Sequence, residues 1–287
     1  MEKVKITLTI NRKYLYKRFM HMAKSARMNI LVTGSKGFIG TEIMKCLRDN
    51  GFEPDGIDVG DELNKEKKYD IILHFGARTL IRNSFSKPYE YFEDGLGLTM
   101  KYLELARKSD ALFLFPSSGS TAEPSNPYSL TKKQAAEWIN LYRKLYSTKA
   151  IIFRLFNIYG TSARKGAVYL FTDAALKGEA ATVYGDGTHI RDYVNVLDLA
   201  KTVLEAVKGN IGPGDYEIGS GKGTSVNELI SLVEEVTGKK IKVEKKPFIV
   251  EEADELIAKN TIVKQPLKLK EGIERIMESL LKENRPA

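Results

Sequence analysis

Cysteine is almost absent: Cys46 is the single one in 287 residues. That excludes an internal disulfide framework and suits a reducing compartment, the cytoplasm. Histidine is scarce too. His21, His74 and His189 stand far apart, with no ligand spacing to one another or to Cys46, so no metal site is expected. No apolar run approaches the ~20 residues of a membrane span, and no membrane partner is expected. Internal repeats and Pro- or Ser-rich linkers are missing as well, so two domains, if present, are interleaved. At 43% hydrophobic and 29% charged, the composition is that of an ordinary globular chain with a sizeable core.

The net charge of +8 would ordinarily raise nucleic acid as a partner, but its distribution argues otherwise. Residues 1–27 hold eight Lys and Arg against Glu2 alone, whereas the other 260 residues carry 37 basic and 36 acidic side chains. The basic excess belongs to the N-terminal extension, and no nucleic-acid partner is expected. The extension lacks the apolar core of about 7–15 residues that a secretory signal needs. It reads as an upstream extension ahead of a fresh start at Met28, or as an organellar targeting peptide. Val4, Ile6, Leu8 and Ile10 alternate with polar residues, so an added edge strand is a third reading.

From Met28 onward strands and helices alternate, the pattern of a doubly wound parallel α/β sheet with helices on both faces. Strands are expected at Asn29–Thr33, ending near Asp58, at Asp70–His74, Ala111–Phe115 and Ala150–Arg154. Helices are expected at Phe38–Asn50, Pro88–Lys108 and Tyr128–Tyr146, the last carrying the single Trp138. Further helices are expected at about 166–178, 195–208 and 225–237, and from about Leu267. The expected division is a dinucleotide-binding unit at 28–156, with 188–209 returning to it, and a substrate-binding unit at 157–187 and 210–287.

Two motifs carry chemistry. Gly34, Gly37 and Gly40 sit between a strand and a helix, one residue wider at the first step than the usual dinucleotide fingerprint. Gly34 would make the tight turn, Gly37 would admit a pyrophosphate to the backbone, and Gly40 would let helix and strand pack closely. Asp58 follows 18 residues later, where a carboxylate can bond both ribose hydroxyls and repel a 2′-phosphate, so NAD is the expected cofactor. The second motif is Tyr128 with Lys132, one helical turn apart on the same face. A cation beside a phenol lowers its pKa and makes it a usable acid/base. Tyr-x-x-x-Lys is common among 14 tyrosines, but here it follows a strand ending in Pro116-Ser117-Ser118. Ser118 can share the substrate proton. A phosphate-binding Walker loop at 219–225 is excluded, because Gly223 stands where Ser or Thr must follow Lys222.

With these residues the sequence resembles the extended short-chain dehydrogenase/reductase family, the nucleotide-sugar epimerases and dehydratases, and among them the UDP-glucose 4-epimerases. The resemblance runs from Met28 to about Val233. It is carried by Leu31–Gly40, Leu73–Ala77, Phe153–Gly160, Val183–Val194, Tyr216–Gly221 and Thr224–Val226. It implies that Phe38, Ile39, Gly76, Ala77, Tyr128 and Lys132 join Gly34, Gly37, Gly40 and Asp58 around NAD. It further implies a UDP- or dTDP-sugar substrate touching Ser84 and Ser118. By the same resemblance Asn157 and Arg191 hold the diphosphate, Tyr184 lies near the base, and the protein is a homodimer packed through helices that flank the sheet.

Several positions depart from the family pattern. Only 11 residues separate Asp58 from Asp70, too few for the usual βα unit, so the outer strand should be missing or rebuilt. The loop from Ser118 to Tyr128 is short and lacks the family's Tyr-Gly. Asp94 stands in place of the usual Asn, and the late Arg-x-Gly-Asp segment is absent, with 247–252 near its place. Dehydratases typically carry an acid one or two residues after the position of Ser118, where this chain has Gly119 and Ser120. Epimerisation at C4 through a transient keto-sugar is therefore the expected reaction, with Ser118, Tyr128 and Lys132 as its catalytic residues. The alternatives are a keto-sugar reductase consuming NAD(P)H, a dehydratase using Glu123 or Asp94, and a non-catalytic dinucleotide-binding regulator. Cys46 is expected as a small buried hydrophobe, His74 as a core or cofactor-adjacent residue, and Lys65–Lys68 as a solvated loop.

Overall fold

A six-stranded sheet, every neighbouring pair parallel, forms the body of the computed structural model, which describes residues 28–64, 66–121, 124–248 and 253–283. The readings for residues 1–27, Lys65, Glu123 and 249–252 lie outside the described residues.

The chain opens with β1 (Ile30–Thr33), α1 (Phe38–Asp49), the short β2 (Asp55–Ile57) and β3 (Ile71–His74). Next come α2 (Ile81–Ser86), α3 (Pro88–Phe92), a π-helical turn (Glu93–Gly97) and α4 (Leu98–Ser109). The expected single helix over Pro88–Lys108 is thus interrupted, with the Leu98 N–H bonded to the Glu93 carbonyl five residues back. β4 (Leu112–Ser118), α5 (Pro127–Tyr146), β5 (Ala150–Leu155), β6 (Asn157–Tyr159), α6 (Ala167–Lys177) and β7 (Ala180–Tyr184) follow. β8 (Ile190–Asn195), α7 (Val196–Val207), β9 (Gly214–Ile218), β10 (Gly223–Ser225) and α8 (Val226–Thr237) lead to β11 (Lys242–Lys246), β12 (Glu255–Leu256) and α9 (Leu269–Glu283).

Alternation along the strands sends residues to opposite faces of the large sheet. Ile30, Val32, Ile71, Leu73, Leu112, Leu114, Ile151 and Phe153 pack with Ile43 and Leu47 of α1 and Leu199 and Val203 of α7. Leu31, Ile72, Phe113, Phe115 and Ile152 face the other way, against Tyr102 and Leu103 of α4 and Ala135 and Ile139 of α5. Strands buried on both faces read as continuous apolar runs, which is why the sequence announces them. Each fully buried Leu, Ile or Phe adds about 1.5–3 kcal/mol.

Strand order is β2-β1-β3-β4-β5-β9. The chain steps outward from β1 to β2, then crosses back to place β3 on the other side of β1. That reversal is a topological switch point, the place where open α/β sheets bind ligands beyond their strand ends. With the interval after Asp58 too short for another βα unit, β2 is the sheet edge among the described residues, as the spacing implies.

A smaller unit rises beside those strand ends. β8 pairs with β6, β10 and β12, and β7 pairs with β11. Its core joins Phe171, Val183, Tyr193, Leu229, Val233, Ile273 and Ile276. The expected division differs in detail from these pairings. β8 belongs to the small sheet, so residues 188–195 do not return with α7. β9 supplies the sixth strand of the large sheet, so 214–218 do not belong with the remainder of 210–287. Among the described residues no helix is long and apolar enough to cross a membrane.

Candidate active site

Three strand ends build the cofactor side. The turn after β1 lies against the turn after β3, across the switch point. Gly34 adopts φ +69°, and a Cβ there would fall 2.7 Å from the Gly76 nitrogen. A Cβ on Gly40 would meet the Gly34 carbonyl oxygen at 2.0 Å, so only glycine lets α1 sit this close to the strand. Gly37 is exposed at the start of α1, which has no side-chain cap and no acid in its first turn. Those first N–H groups, with the glycine cradle, fit a pyrophosphate. Phe38 packs toward Gly160 after β6, and Ile39 leans on the apolar core; Ala77 is half-buried beside Gly76.

Asp58 opens the turn after β2, half-buried, with Oδ2 accepting from the Lys36 N–H at 3.0 Å and Oδ1 from the Val59 N–H at 2.8 Å. A carboxylate has about four lone-pair sites, so ribose hydroxyls can still be accepted. Lys36 closes the turn through Asp61 at 2.8 Å.

His74, 2% exposed, ties β3 to its neighbours. The Gly76 N–H donates to Thr33 Oγ1 at 3.0 Å, and Thr33 Oγ1 lies 2.7 Å from His74 Nδ1. His74 Nε2 lies 3.2 Å from Thr99 Oγ1, which donates to the Gly95 carbonyl. One arrangement satisfies every member: Thr33 donates to Nδ1, and a neutral imidazole donates from Nε2 to Thr99. Burial, with the Lys132 ammonium adding to it, pushes the His74 pKa down to about 3. His74 is thus a core residue, bridging Thr33 and Thr99.

The candidate catalytic residues come from the end of β4 and the start of α5. Asn126 caps α5, accepting from the Ser129 N–H at 2.9 Å, and Pro127 presets the first turn. That start fixes Tyr128 beside Ser118 and Lys132 one turn further in. Tyr128 is half-buried, with its hydroxyl bonded to Ser118. Ser118 Oγ also lies 3.0 Å from Ser120 Oγ. Lys132, 7% exposed, donates to the Pro116 carbonyl at 2.8 Å and lies 4.5 Å from the centre of the Phe115 ring.

The electrostatics differ from the expected pairing. Burial raises the Tyr128 pKa to about 12, with the Ser118 hydrogen bond opposing it. Burial lowers Lys132 to about 7. Lys132 is turned to a backbone carbonyl rather than to the phenol, so desolvation outweighs its charge in setting Tyr128.

On the substrate side, Asn157 is exposed at the start of β6, with Nδ2 donating to the Asp192 carbonyl at 3.3 Å. Arg191 is buried, and its Nη1 donates to the carbonyls of Ile190 at 2.9 Å and Ala253 at 3.0 Å. Ser84 is fully buried and donates back to the Ile81 carbonyl, so its hydroxyl is committed to α2. Asp94 is held by Arg78 Nε at 2.6 Å and is not a free acid. Tyr184, half-buried at the end of β7, accepts from Arg82 Nη1 at 2.6 Å across the cleft.

Sequence reasoning missed three contributors. Arg82 has no motif of its own. Thr33 and Thr99 act only through His74. Asp192 lies inside the quoted Val183–Val194 segment, yet its role is architectural: buried, it accepts from the Ser220 and Gly221 N–H groups, the Ser220 hydroxyl and the Ala258 N–H. It thereby fixes the turn after β9. Cys46 is half-buried against the core, and burial raises its thiol pKa, as for a small hydrophobe. Among the described residues no group of three or more His, Cys, Asp or Glu is placed to hold a metal.

A model of the NAD dependent epimerase/dehydratase family matches residues 30–219. A putative UDP-glucose 4-epimerase of Methanocaldococcus jannaschii is 32% identical over 256 residues, covering 73% of this chain and 82% of its own. The UDP-glucose 4-epimerase of Corynebacterium glutamicum is 28% identical over 295 residues, 84% and 90% of the two chains. In fold the chain is similar to the UDP-glucose 4-epimerase of Thermotoga maritima solved with UDP-glucose, with TM-score 0.81 at 24% identity, covering 90% of this chain and 100% of that one. The Thermus thermophilus UDP-glucose 4-epimerase solved with NAD gives TM-score 0.76 at 24% identity, over 88% and 99%. The glycine turn at the switch point and the Ser118–Tyr128–Lys132 group both fall within the matched residues, and the chain belongs to the NAD dependent epimerase/dehydratase family.

Proposed function

We propose that the protein epimerises a UDP-sugar at C4 through a transient keto-sugar, with NAD held by Gly34, Gly37, Phe38, Ile39, Gly40, Asp58, Gly76, Ala77, Tyr128 and Lys132. The observation that carries this reading is the Ser118–Tyr128–Lys132 group, with Lys132 buried and Tyr128 bonded to Ser118, at the strand ends bordering the glycine turn. When bound, NAD supplies a reversible hydride acceptor and a positively charged ring. Tyr128 would take the proton of the sugar hydroxyl as the phenolate and return that same proton as the phenol, and positive charge brought beside it would offset the burial that holds its pKa at about 12. Ser118 holds the sugar oxygen within reach of the phenol. Lys132 adds positive charge and a donor for a ribose hydroxyl once it leaves the Pro116 carbonyl. Asn157, Tyr184, Arg191 and Ser84 complete the substrate-side set, with Ser84 acting through the shape of α2.

A dehydratase is disfavoured, because Gly119 and Ser120 follow Ser118 and Arg78 neutralises Asp94. The test is mass spectrometry of ligand retained by the native protein, followed by incubation with a panel of UDP- and dTDP-sugars. Retained NAD and interconversion of a 4-epimer pair without net reduction support the reading. Stoichiometric loss of NAD(P)H would make the protein a reductase, and bound NAD without turnover a regulator.

The site is proposed to work in a cytoplasmic homodimer. Leu130, Trp138, Leu141 and Leu145 form an exposed stripe at helical spacing on α5, with Trp138 42% exposed. A second copy packed helix to helix would cover it, and sedimentation at twice the chain mass is the expected outcome.

A further inference from the structure

We propose that Arg82 and Lys165 form an anion clasp that receives the substrate's diphosphate from opposite walls of the cleft, an inference that rests on the nucleotide-sugar reading above. Arg82, on α2 beside the large sheet, reaches across to Tyr184 at the end of β7. Its Nη1 donates to the tyrosine hydroxyl at 2.6 Å, and its guanidinium carbon lies 3.5 Å from the ring centre. Lys165, ahead of α6 in the smaller unit, reaches the other way, and its Nζ donates to Thr79 Oγ1 at 2.5 Å. Two cations from opposite sides thus end on neutral hydroxyls.

Neighbouring cations are answered by acids: Arg78 by Glu90 and Asp94, Arg164 by Glu283, Arg154 by Glu217. Among the described residues neither Arg82 nor Lys165 has a carboxylate partner. Arg191, to which with Asn157 the family resemblance gives the diphosphate, has its Nη1 donating to the backbone carbonyls of Ile190 in β8 and Ala253 ahead of β12. Lys165 is depressed by burial, a state that an arriving anion reverses.

A base and a neutral sugar need no cation, whereas a diphosphate carries two negative charges. Guanidinium stacked on an aromatic face keeps its outer N–H fork open for phosphate oxygens. Exchanging a neutral hydroxyl acceptor for a charged one strengthens each bond, so the two cross-cleft contacts give way to the substrate and then hold the walls closed around it.

The test is calorimetric titration of UDP and of uridine into the purified full-length protein, wild type against Arg82→Ala and Lys165→Ala. UDP affinity is expected to fall about tenfold or more in each variant, while uridine and NAD binding stay unchanged. Arg82→Gln keeps a donor for Tyr184 but no charge, and it is expected to lose UDP affinity equally; it carries the test if the alanine variant fails to fold. Unchanged UDP affinity, or equal losses for UDP and uridine, would overturn the clasp alone. A wild-type protein that binds NAD but neither UDP nor any UDP-sugar would remove the functional reading and the clasp with it.

Discussion

The two walls of the cleft are built on different terms. On the proposed cofactor wall Thr33, His74 and Lys132 are buried and Ser118 and Tyr128 half-buried, and each is fixed by neighbours close in the chain or on an adjoining strand. On the substrate wall Asn157, Tyr184, Arg82 and Lys165 lie at or near the surface, and the last three make bonds that cross the opening. A buried wall can fix a proton's position to a fraction of an ångström and shift pKa values by several units. An exposed wall with exchangeable contacts can admit and release a charged ligand. Chemistry is placed where the chain is rigid, and recognition where it can open.

The comparison is broken most sharply at Tyr128. Tyr128→Phe keeps the ring and loses the proton carrier, so turnover is expected to fall on the order of a thousandfold or more, with NAD still bound and the fold retained. Steady-state kinetics beside NAD titration checks it, and appreciable residual turnover would move catalysis off this wall.

Lys132→Met is the next largest, and it separates catalysis from stability. The folded pKa of Lys132 is about 7 against an ordinary 10.5, so between these values the unfolded chain binds the extra proton. Stability therefore rises as pH climbs from 7 toward 10.5 and is lowest below 7. The variant is expected to lose about a hundredfold in turnover yet be more stable by about 2 kcal/mol at pH 6, the gap closing toward pH 10. Urea midpoints across that range read it directly.

His74→Asn probes the same wall from the acid side. His74 sits at about 3 instead of 6.5, so wild-type stability falls as pH drops from 6.5 toward 3, where the unfolded chain alone takes the proton. The variant is expected to be about 1–2 kcal/mol less stable at pH 7, from the broken Thr33–Thr99 bridge, with a flatter acid limb. Denaturation at pH 7 and pH 4.5 distinguishes the two effects.

The smallest effect belongs to the exposed wall. Tyr184→Phe leaves the ring under Arg82 and removes its acceptor, so KM for the UDP-sugar is expected to change less than about threefold, with kcat unaltered. A large drop in kcat would erase the distinction between the walls.

What the sequence made legible follows the same divide. Tyr128 and Lys132 could be read because helical spacing puts residues one turn apart on one face, and Asn126-Pro127 marks where that helix starts. The glycine turn could be read because a strand and a helix flank it. Arg82 and Tyr184 are 102 residues apart, and no local pattern announces their meeting. The rise of Tyr128 to about 12 was hidden for a related reason: spacing shows that a cation is near, but not that burial outweighs it or that a carbonyl claims it. Ser84 is a site residue by resemblance, and only its hydrogen bond shows it bracing a helix; Asp192 carries no site assignment in the sequence, and its hydrogen bonds show it bracing a turn.

The π-helical turn at Glu93–Gly97 acts as a phase shifter. An α-helix advances about 100° per residue, so one surplus residue in a single turn rotates everything beyond it by that amount. Ahead of the turn Tyr91 meets Tyr128 edge to face at 6.5 Å; after it Thr99 and Tyr102 address His74. One rod thereby reaches Tyr128, the proposed acid/base, with one half and the buried His74 with the other. A single-codon deletion within 93–97 would put those halves out of register and uncouple the two partners, whereas an insertion in the exposed stretch after Asp58 would be absorbed at the sheet's edge. Indel tolerance along this chain should therefore map the catalytic phase as sharply as any point substitution does.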